Sequence, residues 1–260
     1  MHYFVKVMKV YFNVKLEFDK KRVNETIENA IFDKTKGYVC SIESNNLTVA
    51  NKNIEFLTVV NNALVNICDG SMLSKILSFI YKENFASYIG ADLFLEYIYK
   101  CKYRHFFLGN TAAVLEGLKQ NMSKIDLRIL EMRFEELPFR TVENFDYQSI
   151  GNMINEDKPD IIWVSLGAPK QEFFMGRLLP YLDQGVMFGF GAIFNFNSGV
   201  GSVKRAPHWM RKMKLEWFYR AIEEPKKNVP RYWGFIRLLP KLILQEYKRI
   251  KIDNSKGLSS

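Results

Sequence analysis

Between Pro159 and Pro180 the chain reads PDIIWVSLGAPKQEFFMGRLLP, and no other stretch limits the possible folds so strongly. Residues 161–166 are apolar on both faces of an extended chain apart from Ser165. That pattern suits a parallel strand covered by helices on either side. Gly167 lets the backbone turn, and Pro169 suits a first helical position, where its missing N–H has no intrahelical partner to lose. A helix then opens on Lys170, Gln171 and Glu172. Polar side chains are thereby held at the carboxyl end of a strand, the usual place for a ligand in an open α/β sheet.

The rest of the chain repeats this theme. Residues 10–18 alternate well enough for a first strand, and residues 21–34 follow as a helix closed by Gly37. The apolar pattern predicts further strands at 38–43, 64–68, 104–108, 125–130, 161–166 and 186–190. Helical spacing covers 47–60, 71–81, 92–99, 111–122, 147–155 and 170–179. Strands alternating with helices predict an α/β fold, a doubly wound, mostly parallel, Rossmann-like sheet. Between Gly199 and Pro207 glycines give way to a basic tail, which divides the chain into a 1–200 core and a 201–260 helical appendage.

Charge sharpens that division. The formal net charge is +9, yet from residue 201 onward 15 Lys and Arg face 5 Asp and Glu, which leaves the first 200 residues at −1. Such a tail suits nucleic acid, anionic lipid or a phosphorylated substrate. Its segment RYWGFIRLLPKLILQEYKRIKI interleaves bulky apolar residues with Arg and Lys. That mixture suits a helix lying in an anionic membrane surface, kinked at Pro240, and equally a helix packed on the core or against a second copy of the chain. No nucleic-acid-binding motif accompanies it. Cys40, Cys68 and Cys101 have no CxxC spacing and read as buried thiols in a reducing compartment, while His2, His105 and His208 are too scattered for a metal site. The N-terminus mixes charge into its apolar residues, and no apolar run approaches the ~20 residues of a membrane span, so a cytoplasmic protein is expected.

Several strand ends carry reactive groups. Asp69 precedes Gly70 at the end of a strand, so its carboxylate reads as an ionised base able to take a proton from a bound hydroxyl, or as the cap of the helix beginning at Ser71. Gly109-Asn110-Thr111 opens a helix, either as a site for phosphate or a nucleotide's sugar or as an ordinary cap; its glycine pattern is neither a Walker loop nor GxGxxG. Gln171 and Glu172 place an amide and a carboxylate in a helix's first turn, as ligand contacts or as dipole-favoured surface residues.

Taken together and in this order, these elements resemble a family. CDG at 68–70, FFLGN at 106–110, VSLGAPKQE at 164–172, FGFGAIFNFNSG at 188–199, RAPHWM at 205–210 and LEWFYRAIEEP at 215–225, followed by Arg231-Tyr232, are similar to the WecG/TagA/CpsF glycosyltransferases, glycosyltransferase family twenty-six. The resemblance implies an inverting transfer of a sugar, often N-acetylmannosamine, from a UDP-sugar donor to a polyprenyl-diphosphate-linked saccharide acceptor. It implies action on the inner face of the cytoplasmic membrane, without a bound metal or other cofactor, in teichoic-acid or cell-surface polysaccharide synthesis. Under it Asp69 is the general base and Gln171 a catalytic contact to substrate. Its substrate-binding set here comprises Ser41, Gly109, Asn110, Thr111, Gly167, Lys170, Glu172, Asn195, Arg205, Arg220, Lys227 and Arg231, the guanidinium groups suiting a diphosphate.

The chain departs from that pattern at five places. Ser41 keeps the hydroxyl of a frequent threonine, but Glu43 replaces the asparagine two residues on. Ser87 stands where an arginine is common, Asn195 where an aspartate is, and Lys227 where an arginine is. These changes bear on the donor sugar more than on the reaction class, and they give a catalytically weakened nucleotide-sugar-binding scaffold as the alternative function.

Overall fold

Alternate residues of a strand face opposite sides of its sheet, and here both sides are apolar. The computed structural model, which describes residues 8–200, 206–213 and 215–257, accordingly has one buried cluster on each face. Cys40, Ile42, Phe106, Val164 and Met187 enter one cluster, and Val39, Phe107, Trp163, Val186 and Phe188 the other.

A hairpin of two short strands, β1 (Val10–Tyr11) and β2 (Val14–Lys15), precedes α1 (Lys20–Phe32), whose first N–H groups are capped by the Asp19 carboxylate. From β3 (Lys36–Ile42) the chain passes through α2 (Ser44–Ala50) and α3 (Ile54–Asn61) to β4 (Val65–Cys68). Next come α4 (Ser71–Tyr81), α5 (Gly90–Tyr99), β5 (His105–Gly109), α6 (Ala112–Met122) and the edge strand β6 (Arg133–Glu135). The layers are completed by α7 (Tyr147–Asp157), β7 (Ile161–Ser165), α8 (Lys170–Leu178), β8 (Gly185–Gly189) and α9 (Gly191–Ser198). The tail forms α10 (His208–Lys212), α11 (Glu216–Glu223) and α12 (Pro225–Gly257).

Strands β3 to β8 make one sheet in the order β4-β3-β8-β7-β5-β6, every pairing parallel. This is the α/β, Rossmann-like architecture the alternation predicts. All carboxyl ends lie along one edge, and the chain crosses from β4 at one side to β5 at the other. An open sheet of this kind takes its ligands along that edge.

Four local expectations change. Residues 10–18 are not one strand, because Phe12 and Asn13 take left-handed φ values of 50° and 69° and fold the chain into the β1–β2 hairpin. Tertiary bonds outweigh the alternation there: Phe12 N–H donates to Glu246 of α12 at 2.8 Å, and Asn13 Nδ2 to Asn51 Oδ1 at 2.9 Å. Residues 125–130 form no strand; the Asp126 carboxylate accepts the Arg128 N–H at 3.1 Å and starts a 3₁₀ turn, and β6 pairs with β5 just beyond it. The helical run 47–60 splits at residues 51–53, where Asn53 caps α3 by accepting the Phe56 N–H at 3.0 Å. Cys101, in the turn after α5 at φ 46°, is exposed, whereas Cys40 and Cys68 are buried.

The last helix runs through Pro230 and Pro240 rather than stopping at either. Each proline removes a hydrogen bond from the helix ladder. Packing offsets the loss, because α12 lies along α2 and α4 and sends Phe235 and Leu242 into the main core.

Candidate functional site

Parallel pairing ends β3 and β4 side by side, Ile42 opposite Cys68, which puts Ser41 next to Asp69. Ser41 Oγ donates to Asp69 Oδ2 at 2.5 Å, and Gly90 N–H points to the same oxygen at 3.3 Å. The loop that carries Ser87 runs past this pair, tied down by the Tyr88 N–H on the Cys68 carbonyl at 2.9 Å. Gly70 holds the cap position of α4 at φ 135°. The Asp69 carboxylate is thus oriented by a hydroxyl and an amide while remaining half-buried.

The turn after β7 is held by Gln171. Its Oε1 accepts the N–H of Gly167 at 3.1 Å and of Gly191 at 3.0 Å, while its Nε2 donates to the Gly189 carbonyl at 2.7 Å and to Glu172 Oε1 at 3.2 Å. A side-chain amide has two acceptor lone pairs and two donor hydrogens, so all four are used within the protein. Gln171 therefore acts as a strut between the turns after β7 and β8. Those turns pack so closely that a Cβ on Gly191 would stand 2.6 Å from the Gly167 nitrogen.

Glu172, fully buried, continues the strut. Its Oε1 also accepts Asn46 Nδ2 at 2.9 Å, and the same Nδ2 donates to the Ser41 carbonyl at 3.1 Å. Burial pushes the Glu172 carboxyl up to about 7, helped by the like charge of Glu43. Asn46 thereby joins the strut to the strand that supplies Ser41.

A second polar group sits at the ends of β5 and β7. Gly109 turns at φ 95°, where a Cβ would lie 2.7 Å from the Ser165 carbonyl oxygen. Asn110, at φ 70°, donates through Nδ2 to Ser165 Oγ at 3.0 Å and to Asn195 Oδ1 at 3.3 Å. Ser165 Oγ in turn donates to the Gly191 carbonyl at 2.8 Å. The one polar residue of the apolar strand is the hub that ties the Asn110 turn to α9.

Glu43 follows β3 and precedes α2 without capping it by a side-chain bond. Burial and then Asp69 raise its carboxyl above the ordinary range, while Arg231, Arg220 and Lys227 oppose the rise. Three cations of the tail therefore act on a carboxyl group beside Asp69, Lys227 and Arg231 from α12, which packs along α2, and Arg220 from α11, which packs on α12. Arg220 also lies over the Phe196 ring at 4.7 Å, and Lys227 pairs with Glu224 at 3.0 Å.

Of the predicted residues, Ser41, Asp69, Gly167, Gln171 and Glu172 form one connected network, with Gly109, Asn110 and Asn195 adjoining it. Arg220, Lys227 and Arg231 approach it from the tail. Lys170 turns toward the rings of Phe139 and Phe145, 5.3 and 5.1 Å away, and Thr111 is exposed. Arg205 lies outside the described residues. Sequence reasoning missed Asn46, Gly90 and Gly191. Only Gly191 carried a signal, as part of the glycine-rich FGFGAIF run.

Comparison with known proteins places the chain in a family. The family model described as glycosyl transferase WecG/TagA/CpsF family matches residues 6–252. The chain is 28% identical over 232 residues to the N-acetylglucosaminyldiphosphoundecaprenol N-acetyl-beta-D-mannosaminyltransferase of Bacillus subtilis (strain 168), covering 86% of this chain and 85% of that protein. Enzymes of the same name in Bacillus spizizenii and Staphylococcus aureus (strain MW2) are 26% and 27% identical, over 79% and 82% of this chain and 81% and 84% of theirs.

Proposed function

Starting from the fact that this chain belongs to the WecG/TagA/CpsF glycosyltransferase family, we propose that it is an inverting transferase moving a sugar from a UDP donor to a polyprenyl-diphosphate-linked saccharide. The named relatives act on N-acetylglucosaminyldiphosphoundecaprenol and transfer N-acetylmannosamine, so N-acetylmannosamine or a related hexose is the donor sugar and a lipid diphosphate saccharide the acceptor. The product belongs to teichoic-acid or other cell-surface polysaccharide synthesis.

One observation carries this reading: a carboxylate oriented by Ser41 and Gly90 lies at the carboxyl edge of the sheet, and Arg220, Lys227 and Arg231 act on its neighbour Glu43. An acceptor hydroxyl attacks the anomeric carbon from the face opposite the diphosphate. Its oxygen forms the new glycosidic bond as its proton passes to Asp69, and the bond from the anomeric carbon to the phosphate oxygen breaks with its electron pair leaving on UDP. The basic residues stabilise the charge that develops on the diphosphate. Gln171 and Glu172 serve the reaction by fixing the turns around the substrate.

The membrane part of the proposal rests on the outer face of α12. Phe235 and Leu242 face the core, whereas Val229, Trp233, Ile236, Leu244 and Tyr247 follow one another at helical spacing and are exposed. Among the described residues no helix is long and apolar enough to cross a membrane. A second apolar stripe flanked by Lys and Arg suits a helix lying at an anionic surface, where the lipid-linked acceptor resides.

The test is release of UDP from a panel of UDP-sugars in the presence of a short-chain lipid diphosphate saccharide. Asp69→Asn should keep the fold and UDP binding and lose about 100-fold or more of turnover; full activity would remove Asp69 from the mechanism. A second reading, a scaffold that binds nucleotide sugar without transferring it, is favoured by the extra carboxyl group of Glu43 beside the base. It requires UDP-sugar binding with no UDP release for any acceptor.

A further inference from the structure

Glu172 has an incomplete set of hydrogen bonds within the protein although it is fully buried. Its Oε1 accepts from Asn46 and Gln171, and its Oε2 has no partner. Asn46, itself buried, has its donor nitrogen shared between Glu172 and the Ser41 carbonyl, and its Oδ1 is likewise without a partner. The two atoms left over in this bonded pair are therefore both acceptors. Leaving one buried acceptor unpaired costs about 1–3 kcal/mol, and leaving an ionised carboxylate in that state costs more. Glu43 is the charged neighbour that acts on Glu172, and it is of like sign; the Cys40 thiol, also buried, feels Glu172 from β3. A proton added to Oε2 is the one change that removes the buried charge and turns a stranded acceptor into a donor.

We propose that Glu172 is a positioning residue that works as an uncharged carboxylic acid, its protonated form keeping the chain from the Gln171 strut through Asn46 to the Ser41–Asp69 pair in register. The proposal deepens the transferase reading and rests on it for its effect on turnover, but the protonation itself does not. When Glu172 ionises, a second or third negative charge arrives behind Glu43 and Asp69, and the strut must rearrange to solvate it. The base at Asp69 loses its alignment although it is itself ready to accept a proton. Turnover accordingly falls as pH rises through the neutral range, in kcat rather than in KM.

Infrared spectroscopy of the full chain decides the protonation. A carbonyl stretch of a protonated carboxyl group is expected at pH 6 with a component that titrates away at a midpoint near 7, and this component is present in Glu43→Gln and lost in Glu172→Gln. A wild-type protein with no such band at pH 6, or one whose band survives in Glu172→Gln and vanishes in Glu43→Gln, overturns the proposal. Should Glu172→Gln not fold, the wild-type titration and the Glu43→Gln spectrum together still separate the two carboxyl groups. In UDP-release assays the ratio of wild-type to Glu172→Gln kcat should drop at least threefold between pH 6 and 8.5; a constant ratio sinks the positioning role. If no acceptor yields UDP, the transferase reading fails while the infrared band still decides the state of Glu172.

Discussion

At the scale of single residues, the site is a problem in placing carboxyl groups. Asp69, Glu43 and Glu172 lie close enough that Asp69 raises the carboxyl of Glu43, and Glu43 that of Glu172. Their environments differ: Asp69 accepts from a hydroxyl and an amide, Glu172 has burial and a neutral amide, and Glu43 faces the cations of the tail. The raised Glu172 value has a sign for stability as well. Its folded-state value of about 7 lies above the ordinary 4.5, so its contribution is complete below pH 4.5 and is lost as pH rises through 7. The loss amounts to roughly 3 kcal/mol, so thermal melts should show the wild type weakening over that window and Glu172→Gln flat. Under the proposed function Glu43 competes with the donor's diphosphate for the cations that act on it. Glu43→Gln should therefore tighten UDP binding about 2- to 5-fold, measured by calorimetry. Because its carboxyl is also raised, the gain should grow with pH as the wild-type group ionises; equal affinities at pH 8 would show that Glu43 does not face the donor.

At the scale of elements, α12 is one helix serving two environments. Its inner stripe enters the core through Phe235 and Leu242, and the buried Glu246 accepts from the Phe12 N–H at 2.8 Å, from the Tyr81 hydroxyl and from Arg249 at 3.3 Å. Arg249 also donates to the Val10 carbonyl at 2.6 Å. One carboxylate thus fastens the tail to the N-terminal hairpin and to α4. Glu246→Ala strands a backbone donor and a hydroxyl together and removes the ion pair with Arg249, and should cost about 3 kcal/mol in denaturant unfolding. The outer stripe has no such duty. Trp233→Ser with Ile236→Ser should change stability by less than about 1 kcal/mol.

At the scale of the whole molecule, charge and shape point the same way. The surplus of basic residues belongs to the tail, while the core that holds the carboxyl groups is close to neutral. The tail therefore meets two anionic partners, the diphosphate at its inner side and the lipid surface at its outer side, under the proposed function. Binding to vesicles containing anionic lipid should be strong at low salt and fall as ionic strength rises, since screening acts within about 10 Å at 0.1 M. The Trp233→Ser, Ile236→Ser protein should bind those vesicles at least about 5-fold more weakly; undiminished binding would make the stripe a contact for something other than membrane.

Much of this was legible in the amino-acid order alone. Alternation of buried runs with amphipathic ones determined a parallel α/β sheet, because a strand apolar on both faces needs helices on both sides. The positions of Asp69, Asn110 and Gln171 at strand ends followed from the glycines that stop those strands. The order of the six strands was not readable, since local periodicity says nothing about which strand pairs with which; yet that order sets β3 beside β4, and so Ser41 beside Asp69. Nor did any local signal mark Asn46, whose importance comes from lying between Ser41 and Glu172 in space. Tertiary contacts alone turned Gln171 into a saturated strut, broke residues 10–18 into a hairpin and carried α12 through two prolines. In each case long-range hydrogen bonds and burial outweighed a local preference worth about 1–3 kcal/mol.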